Sequence, residues 1–188
     1  AFLSGKPVGE PRQVCELLLS RVLNCKRLDL YLRYEMVLPE KKLEAMRRGI
    51  RRAAAGEPVQ YILGQVDSMG HVLKVDRRAL IPRPETEELV EFVLAHEALW
   101  QLERPAIADI GTGSGCIVLS IAAAQSEARC LGVDVSGDAI ALARENAVQL
   151  ELDGRVVLAA AELPDVIEPE SLDAIVANLP YISTAECE

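Results

Sequence analysis

The stretch Asp109-Ile110-Gly111-Thr112-Gly113-Ser114-Gly115 constrains this chain more than any other. An apolar run, Ala106–Ile110, leads into it, and an apolar, alanine-rich run, Gly115–Ala124, leads out. Glycine lets a backbone turn sharply and approach a ligand closely. A buried strand, a glycine turn and a helix form the first part of a βαβ unit, and the alternation continues downstream. Ala128–Val133 reads as a second strand, Gly137–Leu150 as a second helix, Arg155–Ala159 as a third strand and Leu172–Ala177 as a fourth. Strands alternating with helices imply an α/β fold, with a parallel sheet carrying helices on both faces.

Upstream the pattern is different. Val14, Leu17, Leu18, Val22 and Leu23 recur at helical spacing. Leu28, Leu30, Leu32 and Met36 continue an apolar pattern into a short second helix. Pro39 opens a third, which Gly56 ends. From Val59 the apolar residues alternate through Tyr61 and Leu63, then Val72 and Val75 follow Met69-Gly70, as in a strand pair. Ile81-Pro82-Arg83-Pro84 is a rigid connector, because proline fixes its own backbone and extends the residue before it. A helix over Glu85–Leu99 is expected after it, with acidic residues in its first turn, where the helix dipole favours them. The division expected is a helical domain over 1–57, a strand-pair linker over 58–80 and an α/β domain over 81–188.

Composition narrows the function classes. No run of 18 apolar residues exists, so no transmembrane helix is expected. The first residue is Ala1, which leaves a preceding or cleaved segment open. Five cysteines without a C-x-x-C pair suit free thiols in a reducing compartment, the cytoplasm or a eukaryote's mitochondrial matrix. His71 and His96 stand apart with no ligand spacing around them, and no metal is expected. The net charge of −9 divides unevenly, +5 over residues 1–60 and −14 over the rest. An acidic α/β half argues against direct nucleic-acid binding. The basic N-terminal part reads either as solvated helix faces or as a docking surface for an acidic or RNA-associated partner.

Three elements carry chemistry. The glycine spacing is G-x-G-x-G, not the G-x-G-x-x-G of dinucleotide binders, and a ligand-free tight turn would use the same residues. Asp134 ends the second strand, 19 residues after Gly115. A carboxylate there can accept hydrogen bonds from both ribose hydroxyls of an adenosine lying over the turn. Asn178-Leu179-Pro180-Tyr181 ends the fourth strand. A planar NH2 group is a poor nucleophile because its lone pair is delocalised. The Asn178 side-chain oxygen and the Leu179 carbonyl are two acceptors for its two hydrogens. They would aim the nitrogen at an activated methyl group and favour the developing positive charge, with Tyr181 stacked on the planar group.

Gly56-Glu57-Pro58-Val59-Gln60-Tyr61-Ile62-Leu63-Gly64, Ile81-Pro82-Arg83-Pro84-Glu85-Thr86-Glu87 and Arg27-Leu28-Asp29-Leu30-Tyr31-Leu32, with the glycine turn, resemble the HemK/PrmC glutamine methyltransferases over about residues 12–182. The resemblance implies a Rossmann-like class I methyltransferase domain with S-adenosyl-L-methionine as cofactor. The substrate implied is the glutamine amide in the Gly-Gly-Gln loop of class I peptide-chain release factors, recruited by the helical domain. By position, Gly111, Thr112, Gly113, Ser114, Gly115, Asp134 and Asn178 would touch the cofactor. Glu162 and Leu163 would lie near its adenine, and residues 178–181 (Asn178, Leu179, Pro180 and Tyr181) would hold the substrate glutamine. Two features depart from the family. Leu179 stands where it usually has proline, which also gives a likeness to ribosomal-RNA adenine dimethylases. The usual phenylalanine after Leu63-Gly64 is absent from Gln65–Gly70. An adenine N6-methyltransferase on RNA or DNA, a non-catalytic cofactor- or partner-binding module and a dehydrogenase are the alternatives. Further strands normally follow the Asn-x-Pro-Tyr turn in this class, and Ile182 to Glu188 are too few for another βα unit, so a fragment is expected.

Overall fold

The computed structural model describes the whole chain except residues 1, 4, 7, 33, 34, 163–169 and 180–188. It divides into two compact units, residues 1–64 and 65–188.

The first unit is helical. α1 (Pro11–Leu23) starts on proline, whose missing N–H costs nothing at a helix start. It stops at Asn24, which takes the left-handed conformation (φ 52°), while the Cys25 N–H returns to the Ser20 carbonyl at 3.0 Å. Val14 and Leu18, four apart on one face, are buried with Leu3 and with Ala53 of α2 (Glu40–Ala54). Between these helices, Arg27–Leu32 forms a 3-10 helix rather than a longer apolar one, and Leu28 and Leu32 are exposed. Polar contacts fasten it. Glu16 of α1 accepts from Arg12 (2.9 Å), Arg27 (2.7 Å) and Tyr31 (2.9 Å), and Arg12 and Tyr31 hold its carboxyl below the usual range.

Val59–Leu63 corrects the expected strand: it is a short helix, α3. Val59, Ile62 and Leu63 pack on the helical core, a spacing that suits a turn of helix as well as alternation does. Pro58 precedes it, and Gly64 ends it at φ 74°. The strand pair begins immediately after.

In the second unit, β1 (Gln65–Ser68) and β2 (His71–Lys74) form an antiparallel hairpin. Met69 and Gly70 both take positive φ, the geometry whose twist suits a two-residue hairpin. The hairpin forms without an aromatic residue: Val66 pairs with Leu73, and both join the main core. α4 (Pro84–Leu94) is shorter than expected. The chain breaks at residues 95–96 before α5 (Glu97–Trp100). The Trp100 indole N–H donates to the Val93 and Leu94 carbonyls at 3.2 and 3.0 Å, partnering groups at the end of α4.

β3 (Ala106–Ile110), α6 (Cys116–Ala124), β4 (Arg129–Asp134), α7 (Gly137–Gln149), β5 (Val156–Ala160) and β6 (Ala174–Ala177) follow. The four strands form a parallel sheet in the order β5-β4-β3-β6. β3 is buried along nearly its whole length, and Cys116 to Ala122 of α6 are all buried. This is why both read as continuous apolar runs. Among the described residues, no helix is long and apolar enough to cross a membrane. Cys15, Cys25, Cys116 and Cys130 are free thiols.

One buried amide ties the hairpin to the sheet. Asn146 of α7 is fully buried; its Oδ1 accepts from the Lys74 N–H at 2.7 Å. Its Nδ2 donates to the Lys74 carbonyl at 3.1 Å and the Ser114 carbonyl at 2.8 Å. Nearby, Arg78 and Lys74 both pair with Glu145, and Arg78 first and Lys74 second hold its carboxyl at about 2. Replacing Asn146 by alanine strands three backbone groups. Asn146→Ala should lower unfolding free energy by ~3 kcal/mol, the scale for unpaired buried polar groups. Urea denaturation measures this, and a loss below about 1 kcal/mol would show that those groups find other partners.

Candidate active site

Ile110, the last residue of β3, lies level with Val133 of β4 on one side and Ala177 of β6 on the other. Gly111 and Asn178, directly after β3 and β6, and Asp134, the last residue of β4, therefore stand at one edge of the sheet. This is the carboxyl edge of a parallel sheet where strand order reverses, the place such folds put ligands.

The turn after β3 is held from below. The N–H groups of Gly111 and Thr112 donate to the Val133 carbonyl at 2.8 and 3.0 Å. Gly111, Gly113 and Gly115 take φ of 70°, 55° and 82°, a region that side chains disfavour. At Gly115 a Cβ would sit 2.9 Å from Leu119 Cδ1 and 3.2 Å from Ala143 Cβ, so its absence lets α6 and α7 close on the turn. At Gly113 the nearest atoms are the Ala79 Cβ at 3.7 Å and the Gly111 carbonyl at 3.9 Å, which leaves room for a ligand against the backbone.

Two carboxylates flank the turn. Asp134, half-buried, accepts from the Gly113 N–H through Oδ2 and from the Ser136 N–H through Oδ1, both at 2.9 Å. Each oxygen retains a lone pair for a hydroxyl. Asp109 is fully buried, and its Oδ2 accepts from the Thr112 hydroxyl at 2.6 Å and the Val118 N–H at 3.3 Å. Its Oδ1 is buried and has no hydrogen-bond partner among the described residues. Burial, with a smaller push from Asp134, raises the Asp109 pKa to about 6, against the hydrogen bonds from Thr112 and Val118.

The other site residues fall unevenly. The side chains of Thr112 and Ser114 are buried under the turn, so Thr112 braces Asp109 from within. Asn178 is exposed, and its Nδ2 donates to the Thr86 hydroxyl at 2.9 Å. Its Oδ1 receives no hydrogen bond from any described residue. Leu179 is half exposed, and its Cδ2 lies 2.5 Å from where a Gly111 Cβ would be. Glu162 is exposed just past β5, where the Ala161 N–H extends the ladder to the Asp134 carbonyl. Leu163, Pro180 and Tyr181 lie outside the described residues. Sequence reading missed Val135, an exposed apolar side chain next to Asp134, and Thr86, whose partner is 92 residues away. An apolar residue directly after a strand-ending carboxylate was the available signal for Val135; nothing local marked Thr86 as its partner.

The raised Asp109 pKa has a definite sign in stability. The folded state holds this proton more tightly than the unfolded chain, so the contribution is full below about 4 and lost as pH rises through about 6. Asp109→Asn should remove this decline. The wild-type denaturation midpoint should fall relative to the variant's between pH 4 and pH 7, and parallel profiles would show Asp109 ionised throughout.

Known proteins resemble this chain. Residues 1–64 match the PrmC N-terminal domain and residues 91–188 the methyltransferase small domain. The release factor glutamine methyltransferase of Chlorobaculum tepidum is 42% identical over 99% of this chain and 66% of its own length. That of Rhodopirellula baltica is 36% identical over 98% and 64%. The chain thus spans just under two thirds of the length of these relatives. Among solved structures, human methyltransferase 10 domain containing protein matches 61% of this chain and 56% of its own at a TM-score of 0.50 and 22% identity, a likeness of fold. With a PrmC N-terminal domain followed by a methyltransferase small domain, the chain belongs to the HemK/PrmC family of class I methyltransferases.

Proposed function

We propose that this chain carries the centre for methyl transfer from S-adenosyl-L-methionine to the side-chain amide nitrogen of a glutamine. The proposed substrate is the Gly-Gly-Gln loop of a class I peptide-chain release factor. One observation carries the reading: the uncommitted Asn178 Oδ1 stands at the strand end beside the glycine turn and Asp134. The names of the relatives supply the substrate.

The residues present fit the cofactor. Gly113 leaves the turn's backbone open, and both Asp134 oxygens have acceptor capacity for ribose hydroxyls. Glu162, Leu163 and Val135 are assigned to the surroundings of the adenine. When bound, S-adenosylmethionine supplies an electrophilic methyl group on a sulfonium.

The protein's part is orientation. Asn178 Oδ1 and the Leu179 carbonyl accept the two amide hydrogens, so the nitrogen presents its face to the methyl group. These acceptors favour the positive charge that grows on nitrogen as the bond forms. The nitrogen would gain the methyl as the carbon–sulfur bond breaks, leaving S-adenosylhomocysteine as the thioether, and would lose one proton to solvent. Pro180 and Tyr181 are assigned to the substrate amide on the family resemblance alone. The basic helical unit is assigned to recruiting the release factor.

Titration calorimetry and a labelled-methyl transfer assay test the two halves of this reading. Asp134→Ala should weaken S-adenosylmethionine binding by ~1–3 kcal/mol, the scale for unpaired polar partners. Unchanged binding would remove the ribose assignment. Asn178→Ala should cut the rate of release-factor methylation far more than cofactor affinity, because its role is mainly to orient the amide. Label appearing on adenine in RNA, with the release factor unmodified, would point to the adenine methyltransferase instead.

A further inference from the structure

We propose that Thr86 is a positioning residue for Asn178, anchoring the nitrogen end of its amide while the oxygen end meets the substrate. The inference rests on the glutamine-methylating reading above and adds a role for the Ile-Pro-Arg-Pro-Glu-Thr segment, which that mechanism leaves unused.

A planar NH2 substrate offers only hydrogens, so Asn178 must present oxygen to it. An asparagine amide has nearly the same shape either way round, with an acceptor at one end and two donors at the other. Turned over, Asn178 would set NH2 against NH2. The substrate's hydrogens select the oxygen end, and a partner for the nitrogen end on the far side then holds the side chain in that position. A hydroxyl, which both donates and accepts, fixes the place of the amide and not its sense. Thr86 Oγ1 meets Asn178 Nδ2 at 2.9 Å and accepts its hydrogen. No other hydrogen bond to the Asn178 side chain exists among the described residues.

The hydroxyl is well placed for this. Thr86 is buried, while Asn178 is exposed. It lies in the first turn of α4, where its N–H donates to the Arg83 carbonyl at 2.9 Å. Pro84 starts that helix with its backbone already set. The proline-rich segment thus delivers a positioned hydroxyl to a strand end 92 residues later. Valine has the same shape as threonine but no acceptor, and serine keeps the acceptor.

Steady-state methylation of a release factor by wild type, Thr86→Val, Thr86→Ser and Asn178→Ala tests this. Thr86→Val should lower kcat about tenfold with unchanged S-adenosylmethionine affinity, the rate equivalent of ~1.4 kcal/mol. Thr86→Ser should recover most of the rate. In an Asn178→Ala background, Thr86→Val should cost nothing further, because the group it positions is gone. Wild-type kcat in Thr86→Val, or an additive loss in the double variant, would overturn the proposal. Thr86→Ala replaces the valine variant if valine unfolds the protein.

A second measurement stands apart from activity. In nitrogen-15 spectra of the unliganded protein, one Asn178 side-chain hydrogen should be shifted downfield and slow to exchange in wild type and Thr86→Ser. That signature should vanish in Thr86→Val. Its persistence would overturn the Thr86 contact. No methylation of release factor by the wild type, with the signature present and lost as stated, would instead overturn the substrate reading and leave the contact standing.

Discussion

The structure of residues 65–188 depends on the pairing of β3 with a parallel strand on each side. Parallel neighbours run the same way, so their carboxyl ends come out level. Ile110, Val133 and Ala177 share a row, and the chain beyond that row must leave the sheet. Three polar features far apart in sequence, the glycine turn, Asp134 and Asn178, are brought to one edge by backbone hydrogen bonds alone. Burial of β3 keeps this row in place, because a slip would expose its continuous apolar run to water.

Much of the turn's order exists before any ligand arrives. Asp134 reaches back to the Gly113 N–H, Asp109 reaches forward to Thr112 and Val118, and Asn146 holds the Ser114 carbonyl. Each contact restricts a segment that three glycines would otherwise leave loose. A preorganised turn lowers the entropy lost when a cofactor settles on it. The cost of burying Asp109 is the counterpart: its Oδ1 finds no partner among the described residues.

The legible parts of the sequence were those whose signal is local. β3 and β4 were placed within a residue of their ends, since both are apolar runs bounded by turn residues. Asp134 and Asn178 stood out because a polar residue that closes an apolar run is conspicuous. Val59–Leu63 misled for the same reason, since five residues of alternating apolar character also satisfy one turn of helix. The break after Leu94 was invisible because it depends on Trp100 folding back onto two carbonyls. Asn146 and Thr86 were illegible as site supports. Their partners lie 72 and 92 residues away, and nothing near either residue announces the contact. Glycines 111, 113 and 115 were read as permissive, yet two of them make room for a neighbour, Gly111 for Leu179 and Gly115 for Leu119.

Leucine at position 179 changes how the strand-ending turn is held. A proline there would restrict the backbone through its ring. Leucine has no ring, and the structure shows a different restraint: its Cδ2 occupies the space over Gly111 where any larger residue would place a Cβ, at 2.5 Å. Half of the side chain remains exposed, so the contact contributes roughly 1 kcal/mol on the scale for burying a leucine. That is enough to favour one position of the Leu179 backbone without fixing it as a ring would. Gly111 is then required twice, once for its φ of 70° and once for the space Leu179 fills. The glycine turn and the Asn178-Leu179 strand end become a single packed unit, and a side chain added at Gly111 must displace Leu179.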